Sequence, residues 1–162
     1  MPNWCQNVVN IDFPNIEQGQ QVVAAFEKGQ LLNTLVPEPN DIGDGWYSWR
    51  VANWGTKWDV EGSCDCWTQD DNLHVVLTFD SAWAPPLQAL HALADNYDAQ
   101  VSACYSEPGM QFCGVWSPGS DHQFTIPETR EGLADLPQQL VDQFGSDWHF
   151  AEDDQDDDGA AS

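Results

Sequence analysis

Positive charge is what this sequence lacks most. Only 4 lysine and arginine residues stand against 27 aspartate and glutamate residues, and the formal net charge is −23 at pH 7. Nucleic acid phosphates and anionic membranes would repel such a chain, so the composition excludes non-specific binding to either. A basic surface would attract it. Solubility, or adaptation to high salt, is the alternative explanation of the acidity.

Part of the acidity lies in a tail. The run from Glu152 to Asp158 holds six acids in seven residues, and we expect residues 151–162 to be solvated and disordered. Without those six acids the net charge is still −17. Residues 1–150 are predicted to form a single domain, which is therefore strongly acidic in its own right.

Long apolar runs and leader-like segments are missing as well. No stretch approaches the roughly 20 apolar residues of a membrane span, and the N-terminus leads straight into an alternating strand pattern. The cysteine count of 5 is odd, which is atypical of a disulfide framework. These features favour a protein of the host-cell cytoplasm with reduced thiols.

Catalytic and metal-binding signatures are scarce. The patterns G-x-S-x-G and H-E-x-x-H and glycine-rich phosphate loops are absent, so we predict no catalytic residue and no cofactor, and lean against an enzyme. A zinc site would have to be built from Cys64, Cys66, His74, Cys104 and Cys113. The C-x-C spacing is weaker than C-x2-C, and free cysteine is often a small core residue, so no metal site is predicted.

Hydrophobic periodicity gives the order of the elements. Residues 6–11 predict a strand, and Asn15 predicts the N-cap of a helix that ends at Gly29. A loop over 30–45 and a Trp-rich helix, capped by Asp44 and stopped by Gly55, follow. Residues 56–67 read as extended and 73–80 as a strand with the clearest period of two.

The second half repeats the alternation. A helix after Pro86, a hairpin over 99–106 and 110–116, and a last helix containing Leu133 and Phe144 are predicted. This order is typical of an α+β, ferredoxin-like split β-α-β fold with a mainly antiparallel sheet and both helices on one face. A Trp-rich helical insertion over 30–58 and an extra C-terminal helix complete the prediction.

The segment from Trp46 to Asp59 holds four of the 9 tryptophans and two of the four cations. One interpretation is structural: Arg50 and Lys57 stack on tryptophan rings, pair with Asp59 or Glu107, and pin the insertion onto the sheet. The other is a pocket in which the two cations neutralise a phosphate or carboxylate while a tryptophan stacks on a ring. The candidate ligand-binding residues are Trp49, Arg50, Asn53, Trp54, Lys57, Trp58, Asp59, Trp83 and Glu107.

Five motifs occur together over residues 1–117. They are Met1-Pro-Asn-Trp-Cys-Gln-Asn7, Trp46-Tyr-Ser-Trp-Arg50, Asn53-Trp-Gly-Thr-Lys-Trp-Asp59, Ala82-Trp-Ala-Pro-Pro86 and Tyr105-Ser-Glu-Pro-Gly-Met-Gln-Phe-Cys-Gly114. This set resembles the YubB-type ferredoxin-like domain, which occurs in proteins of phages and conjugative plasmids. The resemblance implies the same fold as the periodicity. It implies no reaction, because that family has no established activity.

Charge and resemblance together lead to the functional prediction. We expect a non-enzymatic phage or plasmid accessory protein that binds and inhibits a basic, nucleic-acid-binding host protein, with DNA mimicry and anti-defence as the rationale. The alternative is a small-ligand or nucleotide-binding protein, or an enzyme, that uses the pocket at Trp46–Asp59. The partner-binding residues and the oligomeric state are not predicted, and neither direct nucleic-acid binding nor membrane binding is expected.

Overall fold

A computed structural model describes residues 3–150 of the chain. The strands are β1 (Trp4–Phe13), β2 (Gly62–Gln69), β3 (Asn72–Ala82), β4 (Gln100–Glu107), β5 (Phe112–Ser117) and β6 (Ser120–Thr125). The α-helices are α1 (Ile16–Glu27), α2 (Leu31–Leu35), α3 (Trp46–Asn53), α4 (Leu87–Tyr97) and α5 (Gln138–Phe144). Short 3-10 helices cover Gly43–Gly45, Arg130–Asp135 and Gly145–Asp147.

All six strands form one sheet in the order β2-β3-β1-β4-β5-β6, and every neighbouring pair is antiparallel. The first four strands have the order that two interlocked split β-α-β units produce, with α1 leading from β1 to β2 and α4 from β3 to β4. The predicted ferredoxin-like α+β fold is therefore confirmed. The hairpin of β5 and β6 extends the sheet beyond this core.

One face of the sheet carries the main core. Val9, Ile11 and Phe13 on β1 point to this face together with Val75 and Leu77 on β3, because alternate residues of a strand share a side. Helices α1 and α4 pack on it through residues that are almost fully buried: Val22, Phe26, Leu90 and Leu93. Burial of a side chain of this size contributes about 1.5–3 kcal/mol.

The opposite face is only half covered. A second cluster joins Val8 and Cys113 of the sheet to Leu140 and Phe144 of α5 and to Trp148, whose indole Nε1 donates to Ser106 Oγ over 2.9 Å. This cluster spans the middle and the β5–β6 side of the sheet. The part formed by the far ends of β2, β3, β1 and β4 is not covered by any element of residues 3–150, as the exposure of Trp67 and Ser102 shows.

Two predicted helix ends are confirmed. Gln18 N donates to Asn15 Oδ1 over 3.0 Å at the start of α1, and Gly55 ends α3 with φ +94. Asp70 and Asp71 both have positive φ, at 53 and 66, which is the backbone of a two-residue type I′ hairpin between β2 and β3. The prediction that Asp44 caps the Trp-rich helix is wrong, because α3 begins after Gly45 and has no side-chain N-cap.

The C-terminal part departs most from the predicted elements. In place of the single predicted helix, the structure has a 3-10 helix and α5, which are separated at Pro137. The residue before a proline is disfavoured in the helical region, and Leu136 is accordingly extended. Strand β6 was not predicted, since Phe124 is its one large apolar residue. The loop predicted over 30–45 contains α2, and β2 begins at Gly62, after an irregular stretch.

The predicted disordered tail, 151–162, lies outside the described residues. Within residues 3–150 no helix has the length and apolar character required to span a bilayer.

Candidate functional site

Trp54 is the buried centre of the Trp-rich segment. Its side chain is 2% exposed, its ring meets Trp49 edge to face at a centroid distance of 5.8 Å, and its indole Nε1 donates to Val36 O over 2.8 Å. The indole therefore satisfies its polar atom while filling space between α3 and the residues after α2. This predicted ligand-binding residue is a core residue.

Arg50 lies between two tryptophan rings. Its guanidinium carbon is 5.0 Å from the Trp46 ring centroid and 4.9 Å from that of Trp54. Nε donates to Glu38 Oε2 over 2.5 Å, Nη2 donates to Glu38 Oε1 over 3.1 Å, and Nη1 donates to Lys57 O over 3.1 Å. The expectation that Arg50 pairs with Asp59 or Glu107 is wrong; its partner is Glu38, in the loop before α3.

The fork geometry of this pair explains why arginine rather than lysine stands here, since a guanidinium can meet both carboxylate oxygens at once. The hydrogen bonds from Arg50 lower the pKa of the Glu38 carboxyl. All three polar nitrogens of Arg50 are thus engaged within the protein, and its charge is compensated.

Asp59 caps the start of α2 from a distance in sequence. Leu32 N donates to Oδ1 over 2.8 Å and Asn33 N donates to Oδ2 over 3.0 Å, while Val60 N also donates to Oδ1 over 2.9 Å. A helix N-terminus leaves backbone N–H groups without acceptors inside the helix, and the Asp59 carboxylate accepts hydrogen bonds from two of them. Burial nevertheless raises the pKa of Asp59 above its usual value, against the opposing effect of these donors.

A polar cleft of about 640 Å³ adjoins these groups. Arg50, Trp54 and Asp59 line it, together with Glu38 and Trp46. Two carboxylates against one compensated guanidinium give it no net positive charge, so it is poorly suited to an anion.

The remaining predicted site residues lie elsewhere. Lys57 Nζ is 4.2 Å from the ring centroid of Trp58, whose ring is 6.0 Å from that of Trp4. Asn53 Nδ2 donates to Trp49 O over 2.8 Å within α3. Trp83 is 44% exposed and lines a separate depression with Met110 and Phe112. One pocket formed by all nine predicted residues does not exist among the described residues.

Glu107 is 1% exposed and serves the turn between β4 and β5. Its two carboxylate oxygens accept from Gly109 N over 2.9 Å and from Met110 N over 2.6 Å. Gly109 has no room for a side chain, because an added Cβ would meet Asn3 Cγ at 2.7 Å and Glu107 Oε1 at 2.8 Å. Glu107 thus orders the chain next to the N-terminus and is not available to Arg50 or Lys57.

The cysteines and His74 do not converge. Cys64 and Cys66 point to the side of the sheet that carries α1, whereas Cys104 and His74 alternate to the other side. No group of three or more candidate metal ligands occurs in the part of the chain that the structure describes. All five cysteines are free thiols.

Cys66 is the exposed thiol, and we expect it to react first in the native protein. Burial raises the pKa of Cys5 to about 12 and those of Cys64 and Cys113 to about 11, and it also raises the pKa of Cys104. A thiol with a pKa near 11 is about one part in a thousand thiolate at pH 8, and thiolate is the reactive form. Titration with a thiol-specific chromogenic disulfide at pH 8 should show one fast phase, and all five thiols in denaturant.

Cys66→Ser is the matched variant for this experiment. It should remove the fast phase and leave the unfolding transition unchanged, because the side chain is exposed on an edge strand. A fast phase that persists in Cys66→Ser would show that one of the other four thiols, which are buried or half-buried, is accessible.

The uncovered part of the sheet holds functional candidates that, apart from His74, the sequence did not single out. We call it the open face; it is formed by Asn10, Asp12, Asp65, Trp67, His74, Val76, Gln100 and Ser102. Trp67 is 48% exposed and stacks on His74 at a centroid distance of 5.7 Å and an interplanar angle of 16°. The sequence signal for this surface is the alternation Asp65-x-Trp67. Because β2 is an exposed edge strand, this alternation has no apolar period and does not stand out in the sequence.

Among the comparisons with known proteins, a family model agrees with this fold. No curated protein matches the chain. Among solved structures, the protein Api92 from Yersinia pseudotuberculosis aligns with 17% identity and a TM-score of 0.37 over 51% of this chain and 31% of its own length. The chain thus spans about a third of that protein. A family model described as the ferredoxin-like domain in Api92-like protein matches residues 54–124, so this region of the chain is similar to that family's ferredoxin-like domain.

Proposed function

We propose that this protein is a non-enzymatic accessory protein that binds and inhibits a basic, nucleic-acid-binding host protein. Its carboxylates take the place of nucleic acid phosphates on the partner's surface, so that it acts as a DNA mimic. The resemblance of its motifs to proteins of phages and plasmids supports a role against host defence, in the host cytoplasm.

The placement of the charges carries this proposal. Within residues 3–150 every acidic side chain is exposed except Asp12, Glu38, Asp59 and Glu107. The cations are placed differently, since Arg50, Lys57 and Arg130 each lie over an aromatic ring. The sequence has four lysine and arginine residues, and three of them lie against rings, so few positive charges interrupt the anionic surface.

Charge of one sign over a compact domain favours association with a surface of the opposite sign. Such complementarity mainly speeds encounter and suppresses wrong partners, and it weakens as salt screens it. A protein that binds duplex DNA presents a basic surface of this kind. Shared use of that surface would make this protein and DNA mutually exclusive ligands.

Capture followed by competition tests the proposal. The full chain is immobilised, a bacterial lysate is passed over it, and each captured protein is identified and purified. We expect a nucleic-acid-binding protein whose complex with labelled duplex DNA is displaced by added chain, with an apparent affinity that falls between 50 and 200 mM salt. A captured protein that binds DNA and this chain together, or binding that ignores salt, would contradict the proposal.

A second candidate function is a small-ligand site in the cleft beside Arg50, favoured by its size of about 640 Å³ and by the Trp46 ring that lines it next to the Arg50 guanidinium. The two candidates separate in one comparison. Loss of function in Arg50→Ala with an intact fold would favour a ligand site, because Arg50 lines the cleft, whereas loss on neutralising exposed aspartates would favour mimicry.

A further inference from the structure

Strand β2 forms one edge of the sheet. Among the strands of residues 3–150 it pairs only with β3, and all of its residues except Cys64 are exposed. Natural proteins usually protect such an edge with lysine, proline or a bulge. Strand β2 contains no lysine or proline, and its 8 residues pair with β3 in continuous register, without a bulge. The outer edge of β2 is therefore open to a further strand.

The hairpin turn fixes which backbone groups of β2 point outward. Because the turn has two residues, its closing hydrogen bond joins Gln69 and Asn72, which lie opposite each other in the register. Hydrogen-bonded and non-hydrogen-bonded pairs then alternate along the two strands. Asp65 and Trp67 thus bond to β3 through their backbone groups. The residues that alternate with them direct their N–H and C=O groups away from β3: Cys64, Cys66 and Thr68.

The charge of this hairpin determines what kind of strand it accepts. Residues 60–82 contain five acidic residues and no lysine or arginine. Asp65 lies within β2, Glu61 precedes it, and Asp70 and Asp71 follow it, and all four side chains are exposed. These carboxylates repel an acidic strand, including β2 of a second copy, and attract a basic one.

We propose that the outer edge of β2 binds an extended basic segment of the partner as a further antiparallel strand, which rests on the proposed function in that the partner is basic. The added strand exchanges backbone hydrogen bonds with Cys64, Cys66 and Thr68. Its side chains alternate between the two sides of the sheet. Basic residues lie on the open face beside Asp65, and the residues between them lie on the side of Cys64 and Cys66.

An octapeptide of alternating lysine and valine serves as the probe, and its counterpart of alternating glutamate and valine is the comparison. Amide hydrogen exchange of the full chain is followed by NMR at physiological ionic strength. Without peptide, the amides of Cys64, Cys66 and Thr68 should exchange faster than those of Asp65 and Trp67, which bond to β3. Near saturation the lysine peptide should slow exchange at those three positions about tenfold, and the glutamate peptide should leave it unchanged.

Two N-methylated forms of the lysine peptide test the backbone contact. In the antiparallel arrangement the peptide residues opposite Cys64 and Cys66 donate to β2, and these are the valines. Methylation of every valine nitrogen should weaken binding more than about tenfold, because it removes these donors. Methylation of every lysine nitrogen, on the far side of the added strand, should weaken binding less than about twofold.

Cys66→Pro and Cys66→Ser are a matched pair on the protein side. Proline removes an N–H that points away from β3, a position at which an edge strand accepts it, and should weaken the lysine peptide about fivefold. Serine keeps the backbone N–H and should change binding by less than about twofold. The methylated peptides use the wild-type chain, so they decide the question even if Cys66→Pro fails to fold.

Equal effects of the two methylated peptides would overturn the assignment, and so would equal protection by the glutamate and lysine peptides. Protection that grows with the concentration of the chain alone would show that a second copy occupies the edge instead.

The capture experiment separates this inference from the proposed function. If a DNA-binding host protein is displaced from DNA equally well by the wild type and by folded Cys66→Pro, the edge assignment is wrong and the proposed function stands. If the lysine peptide protects β2 and the captured proteins bind DNA and the chain together, the proposed function is wrong and the edge assignment stands.

Discussion

Replacing Trp54 with alanine should destabilise the protein by about 3–5 kcal/mol, the usual cost of removing a buried tryptophan. The ring is 2% exposed and packs between Trp49 and the guanidinium of Arg50, so its loss leaves a cavity that these neighbours cannot close without breaking their own contacts. Val36 O also loses its hydrogen-bond donor. Urea unfolding followed by far-ultraviolet circular dichroism measures the change.

Tyr47→Ala is the control for this substitution. It removes a large aromatic ring from the same helix, but Tyr47 is 50% exposed, and the expected loss is within about 0.5 kcal/mol. Equal destabilisation by the two variants would mean that loss of any large aromatic side chain from this segment lowers the free energy of unfolding, whether or not the side chain is buried. A fully stable Trp54→Ala with impaired partner binding would instead make Trp54 part of a binding site.

Glu107→Ala should lower the free energy of unfolding by about 3 kcal/mol. Each hydrogen bond to a charged group contributes about 1.5–3 kcal/mol, and the variant loses two of them, for which water compensates in part. The carboxylate is buried and accepts from Gly109 N and Met110 N, so it fixes the turn between β4 and β5. Glu107→Gln keeps one oxygen as an acceptor, but its amide NH2 group faces the second backbone N–H, where no hydrogen bond can form. Its free energy of unfolding should therefore lie between those of the wild type and Glu107→Ala.

Thermal and urea unfolding of Glu107→Ala, Glu107→Gln and the control Glu128→Gln measure this effect. Glu128 is exposed, so its neutralisation should change stability by no more than about 0.5 kcal/mol. Wild-type stability in Glu107→Gln would show that the turn does not depend on the charge of residue 107. Such a result would reopen the sequence-based interpretation of Glu107 as a ligand-binding residue.

Strand β3 and helix α4 could be predicted from the sequence because each is buried on one side, and burial imposes a period. Edge strands β2 and β6 are exposed on both sides, so polar residues occupy both faces and no period remains. The register of β2, and with it the stacking of Trp67 on His74, follows from pairing with β3, which the local pattern of β2 does not encode.

The Trp-rich segment shows the same limit at the level of a site. The stacking of Arg50 on tryptophan could be predicted from their spacing along α3. Its ion-pair partner could not, because Glu38 reaches Arg50 through the path of an irregular loop. The predicted partners, Asp59 and Glu107, turned out to satisfy backbone N–H groups of a helix start and a turn. Backbone donors compete with cations for carboxylates, and sequence alone does not rank the two.

Holding cations against aromatic rings also bears on how fast two molecules meet. Arg50, Lys57 and Arg130 are kept within a few ångströms of a ring centroid, and Arg50 within an ion pair, so no flexible positive side chain at these positions reaches out to an approaching molecule. Two copies of this protein, each with a formal net charge of −23, therefore repel one another, which slows self-association. A basic molecule is attracted from about one Debye length, roughly 8 Å at physiological ionic strength, before any contact forms.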